Sequence, residues 1–206
     1  MRAGAIAPAP APPRRARIVA AAAVGAALSA VWPAPGGAQA PAPGDAVIIE
    51  EAPVVVDRPL LDVDRTRRRF RGEVVGRRPT VVSFTYSACG AICPVSDLVM
   101  GAVEEALVRD GRRDVALATL TLDPLTDTPE RLRAHAERVG AGPLRRFYTG
   151  GPADVFAVLD GLGMRFGRVE DHPASFLVFD ARGRLWRRLP SGAGPEEVLA
   201  AVEGAR

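Results

Sequence analysis

The chain has 206 residues, 27 basic and 24 acidic, with a formal charge of +3, two Cys and two His. With 48% hydrophobic and 25% charged residues, wholesale disorder and a coiled coil are excluded, and the length suits one domain of roughly 100–200 residues with something added. The positive charge does not mark a nucleic-acid surface: four arginines (Arg2, Arg14, Arg15, Arg17) lie in residues 1–38, which hold no acid, and the remainder balances at 23 basic against 24 acidic, a net of −1.

Arg14, Arg15 and Arg17 precede an uncharged, Ala-rich stretch from Ile18 to Val31. As a helix it spans about 21 Å, short of a roughly 30 Å hydrocarbon core, so it reads as a secretory signal core after a basic region. Cleavage is expected after Ala40 or Ala38, and an uncleaved anchor is the alternative; the Arg14–Arg15 pair also allows a twin-arginine route. Without a Cys near its end, a lipid-modified anchor is not expected. Residues 1–40 are therefore assigned to a signal peptide or N-terminal anchor, 41–75 to a linker and N-terminal extension, and 76–206 to the folded domain. Export places the domain in the periplasm or at the outer face of the inner membrane, where two Cys can oxidise.

Within the extension, Ala46–Ile49 and Val54–Val56 read as short strands, and Arg65, Arg67, Arg68, Arg69 and Arg71 as a solvated face. Thr80–Tyr86 is a short β-branched run of the kind found in buried strands. It leads directly into Cys89-Gly90-Ala91-Ile92-Cys93-Pro94. Val95, Leu98, Val99, Ala102, Val103, Ala106 and Leu107 then recur at three and four, predicting one apolar face of a helix that ends near Gly111. Asp114–Leu122 is a second strand. Thr128 as N-cap and Pro129 at the first helical position start a helix that ends at Gly140. A helix around Pro152–Leu162 follows, then the Ser175–Phe179 strand, a turn over Asp180–Gly183, a hairpin partner from Arg184 to Leu189, and a closing helix over Pro195–Val202. A βαβ unit followed by ββα, with a Cys pair where the first strand meets its helix, is the thioredoxin-like plan: an α/β fold with a central mixed sheet flanked by helices.

Cys89 and Cys93 stand four apart at that junction. Pro94 places Cys93 near the helix N-cap, where unpaired N–H groups and the helix dipole favour thiolate over thiol. Such a loop lets the sulfurs pair as a disulfide or close on one ion. Two Cys cannot form a four-thiolate zinc site, so a third ligand must come from the two His. His172, in Asp171-His172-Pro173-Ala174, opens the Ser175–Phe179 strand, which in a thioredoxin-like sheet lies beside the strand that carries the Cys loop. His135, in mid-helix between Leu132 and Val139, reads as a half-buried packing residue. Two thiolates and an imidazole form a soft, three-coordinate set suited to copper, Cu(I) above all.

These residues carry a family resemblance. Phe84-Thr85-Tyr86-Ser87-Ala88-Cys89-Gly90-Ala91-Ile92-Cys93-Pro94 resembles the signature of the Sco/SenC copper proteins of cytochrome c oxidase assembly, as do Leu122-Asp123-Pro124 with Asp127-Thr128-Pro129-Glu130-Arg131-Leu132, and Asp171-His172 ahead of Phe176–Gly183. The resemblance implies a thioredoxin-like fold and copper, as Cu(I) or Cu(II), held by Cys89, Cys93 and His172. It also implies a cuproprotein client such as a cytochrome c oxidase subunit, a copper donor chaperone, no nucleic acid, and membrane contact only through an uncleaved N-terminal segment. Gly90-Ala91 stands where many members carry an Asp, and Pro173 where a small hydroxyl residue is common, which suggests a divergent branch. Asp123 reads as a turn residue, or as a group that orients a ligand or partner beside the copper site. The competing reading of the same two thiols is an exported thiol–disulfide oxidoreductase without obligate copper, with Cys89 and Cys93 redox-active.

Overall fold

The computed structural model describes residues 53–89, 93–165, 168–169, 175–190 and 192–206. Seven strands, β1 (Pro59–Asp62), β2 (Arg67–Arg69), β3 (Thr80–Thr85), β4 (Ala116–Thr121), β5 (Arg145–Thr149), β6 (Ser175–Phe179) and β7 (Leu185–Pro190), form one sheet in the order β2-β1-β5-β4-β3-β6-β7. Four helices, α1 (Cys93–Arg109), α2 (Pro129–Arg138), α3 (Pro152–Gly161) and α4 (Pro195–Gly204), complete it. β3, β4 and β5 run parallel, as α-helical crossovers require, while β6 and β7 are antiparallel to their neighbours. This is the predicted thioredoxin-like architecture, with two further strands drawn from the stretch before residue 76.

Alternation along the strands sorts the core onto two faces. Val82 and Phe84 of β3, Leu120 of β4 and Leu177 and Phe179 of β6 pack with Val155, Val158 and Leu159 of α3. The opposite face joins Val81, Leu117, Phe176 and Val178 to Met100, Val103 and Leu107 of α1 and to Val198 and Val202 of α4. Thr128 caps α2 as expected, its Oγ1 accepting from Arg131 N–H at 3.3 Å, with Pro129 next. At the β6–β7 turn, Gly183 (φ 74°) crosses Gly76 (φ 102°) so closely that a Cβ on Gly183 would lie 3.2 Å from the Gly76 Cα.

Several expectations need correction. Val54–Val56 is not a strand; the strands of that region are β1 and β2, while Ala46–Ile49 lies outside the described residues. β5 was not expected, because its sequence opens on two arginines. The apolar residues of α1 do not form one face: Val103, Ala106 and Leu107 are buried, but Val95 and Leu98 point outward, Leu98 at 76% exposure, and polar Ser96, Asp97 and Glu104 take inward positions. The arginine cluster is a surface as read, with Arg65, Arg68 and Arg69 paired to Glu130, to Asp62 and Glu73, and to Asp57.

Candidate metal centre

β3 delivers its last residues into the Cys loop, and α1 begins at Cys93. Cys89 N–H donates to the Tyr86 carbonyl at 2.9 Å, which folds the loop into a tight turn. The two sulfurs are joined as a disulfide across a Cα–Cα separation of 5.9 Å, and Cys93 N–H points at the Cys89 Sγ at 3.3 Å. Cys93 is sealed at 2% exposure, whereas Cys89 is partly open. No acidic residue sits in the first turn of α1, so nothing there neutralises the positive end of the helix dipole beside the sulfurs.

What holds the loop is Asp127, a buried residue between β4 and α2. Its carboxylate accepts from Ser87 N–H at 3.1 and 3.2 Å and from the Thr121 hydroxyl at 2.6 Å, while its carbonyl accepts from the Thr149 hydroxyl at 2.7 Å. The side chain thus fastens the Cys loop to the end of β4, and the carbonyl of the same residue ties in the end of β5. Its signal was present in the Asp127-Thr128-Pro129-Glu130 motif but was masked by the helix-capping role of Thr128. Asp123, by contrast, works through its backbone. Its N–H donates to the Thr121 Oγ1 at 3.0 Å and its carbonyl accepts from Thr126 and Asp127 at 3.2 and 2.9 Å, as a turn residue does.

His172 lies outside the described residues, and so does the His172–Pro173 bond. Among the described residues no three His, Cys, Asp or Glu side chains converge as a ligand set. The strand register still bears on that segment. Thr80 pairs with Phe179 and Val82 with Leu177, so the antiparallel ladder carries Ser175, at the start of β6, to the level of Phe84 at the end of β3. The Thr85 hydroxyl at this end of β3 is buried with no hydrogen-bond partner among the described residues.

His135 is more deeply placed than a half-buried packing residue. At 7% exposure, its Nε2 lies 2.9 Å from Asp97 Oδ2, and its Nδ1 accepts from Arg138 at 2.8 Å. Arg138 can only donate, so the ring proton sits on Nε2 and is given to Asp97. Asp97 Oδ1 meets the buried Arg145 guanidinium at 2.5 Å, and Arg145 Nε donates to the Thr119 Oγ1 at 2.9 Å, itself 2.9 Å from the Ser83 Oγ. Burial opposes the charge on Asp97, but the His135 hydrogen bond and the Arg145 charge outweigh it and hold the carboxyl below the usual range. Nearby, buried Glu104 accepts from the N–H groups of Gly142, Leu144 and Arg145 at 2.7, 2.7 and 3.0 Å. Of these, Asp97, Glu104, His135, Arg138 and Gly142 line a groove of about 830 Å³ along α1 that also has Cys89 in its lining.

A thioredoxin-like domain with a C-x-x-x-C disulfide between its first parallel strand and helix defines the class of protein. A family model described as SCO1/SenC matches residues 60–205, and the chain belongs to that family. A Stutzerimonas stutzeri protein named for copper binding is 30% identical over 80 residues, which cover 39% of this chain; the match spans about two-fifths (39%) of that relative's length. Among solved structures, copper-bound ScoI of Bradyrhizobium japonicum is 21% identical at a TM-score of 0.60, over 74% of this chain and 99% of that one. BsSco is 18% identical at 0.64, over 75% and 94%; it is described as a Sco-family cytochrome c oxidase assembly protein with a disulfide switch. At these identities the structural likeness speaks for the fold.

Proposed function

We propose that the protein captures copper with the reduced sulfurs of Cys89 and Cys93 and the imidazole of His172, and passes it to a cuproprotein client such as a cytochrome c oxidase subunit. The observation that carries this reading is the pair of sulfurs at the dipole end of α1, beside a ladder that brings the start of β6 level with the end of β3. The donor set fits the cargo. Two soft sulfurs and a neutral ring nitrogen match Cu(I). Copper bound in a structural relative and copper binding in the name of a sequence relative support the same assignment.

Capture requires reduction first, because a disulfide sulfur carries no thiolate charge. A dithiol reductant, itself oxidised to a disulfide, supplies the two electrons and two protons that convert the pair to thiols, and copper then displaces the thiol protons. Delivery follows by ligand exchange, with client donors replacing Cys89 and Cys93 in turn. Residues 1–40 act as the export leader or anchor in this reading and 41–75 as linker and extension, so that capture takes place in the periplasm or at the outer membrane face, with copper supplied by a donor chaperone. Among the described residues no helix is long and apolar enough to cross a membrane, and Ile18–Val31 lies outside them.

The test is copper competition on the reduced, exported form. Replacing both Cys by Ser is expected to abolish tight binding, and His172→Ala to weaken it by at least about tenfold, as loss of one ligand does. Unchanged affinity in His172→Ala would sink the three-ligand site. The observed disulfide supports a second reading, thiol–disulfide exchange without obligate copper; reduction of a client disulfide that survives the loss of His172 is its distinguishing result.

A further inference from the structure

α1 has two apolar faces, and only one is used by the fold. The outward stripe follows helical spacing through Pro94, Leu98, Ala102, Glu105 and Val108, and forms one wall of the groove that contains Cys89. The stripe runs about 21 Å along the helix axis, longer than a small ligand and suited to a stretch of polypeptide. Leu98, Val95 and Val108 are all exposed along this helix, and a Cβ built on Gly101 would meet nothing, so the wall is notched rather than filled. Val139, at the end of α2, faces it across the groove.

The charges of the groove select among occupants. Asp97 is held by His135 and Arg145, Glu104 by three main-chain N–H groups, and Arg138 donates to His135. Glu105 is different: it is exposed between Ala102 and Val108 on the stripe and has no partner among the described residues. A complementary chain is apolar along one side and carries one basic side chain opposite Glu105. Cys89, not the sealed Cys93, is the sulfur such a chain reaches.

We propose that this groove is the docking site for an apolar, singly basic segment of a client protein, which seats the client's own cysteine against Cys89. The proposal rests on the reading of Cys89 as the sulfur that exchanges with a client, and adds to it how the client is chosen. In the exchange itself, started from the oxidised pair and so run as the reverse of client-disulfide reduction, the client thiolate attacks the Cys89 Sγ. A Cys89–client S–S bond forms, the Cys89–Cys93 bond breaks, and Cys93 leaves with the electron pair and takes a proton from water. The same seating serves copper transfer, since it brings the incoming sulfur to the more open of the two ligands.

The experiment uses the Cys93→Ser protein with Cys89 converted to its thionitrobenzoate mixed disulfide, so that every attack on Cys89 releases the coloured thiol. The probes are a twelve-residue peptide with Leu at helical spacing, one central Arg and a terminal Cys, its Arg→Glu counterpart, and glutathione. The Arg peptide is expected to react about tenfold or more faster than glutathione at matched thiolate concentration, as burial of one or two apolar side chains allows. Leu98→Glu should remove that advantage and Glu105→Arg transfer it to the Glu peptide, with the glutathione rate unchanged in both. Equal rates for peptides and glutathione, or an advantage that survives Leu98→Glu, overturn the docking site. Failure of Cys89 to react even with glutathione instead overturns the exchange reading beneath it, and with it this proposal. The assay contains no copper, so a negative result in the competition experiment leaves its outcome intact.

Discussion

Two buried aspartates, Asp127 just before α2 and Asp97 in α1, are held by opposite means. Asp127 takes neutral donors, the Ser87 N–H and the Thr121 hydroxyl. Asp97 takes a guanidinium and an imidazole, Arg145 and His135. The first joins the reactive loop to the ends of two strands and places no cation beside the sulfurs. The second sits one helical turn after Cys93 and closes a polar strip, Ser83–Thr119–Arg145, that crosses three strands under α1. One corner therefore sets the shape of the loop, while the other neutralises a charge that β5 has buried. Removing each should do different damage.

The largest effect belongs to the charged corner. Asp97→Leu leaves Arg145 buried without its counter-charge, and should cost about 3–5 kcal/mol in chemical denaturation. Asp97→Leu with Arg145→Met removes both charges and should recover most of that loss, since a well-packed apolar pair of similar volume is often no worse than a buried ion pair. If the double variant is as unstable as the single one, the ion pair is stabilising outright and the contrast with Asp127 weakens. Asp127→Ala comes next. It strands the Ser87 N–H and the Thr121 hydroxyl, at about 1–3 kcal/mol for each group that stays dry. Its signature is elsewhere: the reduction potential of the Cys89–Cys93 pair should move in Asp127→Ala and stay put in the Asp97/Arg145 double variant. A potential that moves equally in both would mean that loop and strip form a single unit.

Much of this was legible in the chain. Apolar runs marked β3, β4, β6 and β7, three-and-four spacing marked α1, and the Thr128–Pro129 start marked α2, because each of these signals is local. The Cys pair could be read for the same reason: its spacing and Pro94 are local. The corners could not be read, because the contacts that define them, Asp127 with Ser87 and Asp97 with His135 and Arg145, span 38 to 48 residues of sequence. Arg145 disguised β5 as a charged loop, since a buried arginine makes sense only once Asp97 is known to meet it. Asp97 and Glu104 fell at inward positions of a helix whose apolar residues suggested another face. His135 looked like packing because neither of its hydrogen-bond partners was visible as such. Nothing local announces a long-range ion pair.

The smallest expected effect is the pH dependence of the charged corner, and it separates charge from shape. Asp97→Asn keeps the size of the side chain and an acceptor for Arg145, but not the charge. Because Asp97 in the folded protein titrates below its ordinary value, while in the unfolded chain it titrates near 3.9, its contribution is fully present above the unfolded value and disappears as pH falls through the lower folded one. The stability gap between wild type and Asp97→Asn should therefore be widest above about pH 5 and close as the solution is acidified below about pH 4. Asp180, also held below its usual range as its hydrogen bonds with Arg184 and Arg182 outweigh the opposing effect of burial, titrates alike in both proteins and cancels from the difference. Denaturation curves at a series of pH values measure the gap directly. A gap that is unchanged down to pH 2 would show that Asp97 acts at this corner by shape and hydrogen bonding alone, which is how Asp127 acts at the other.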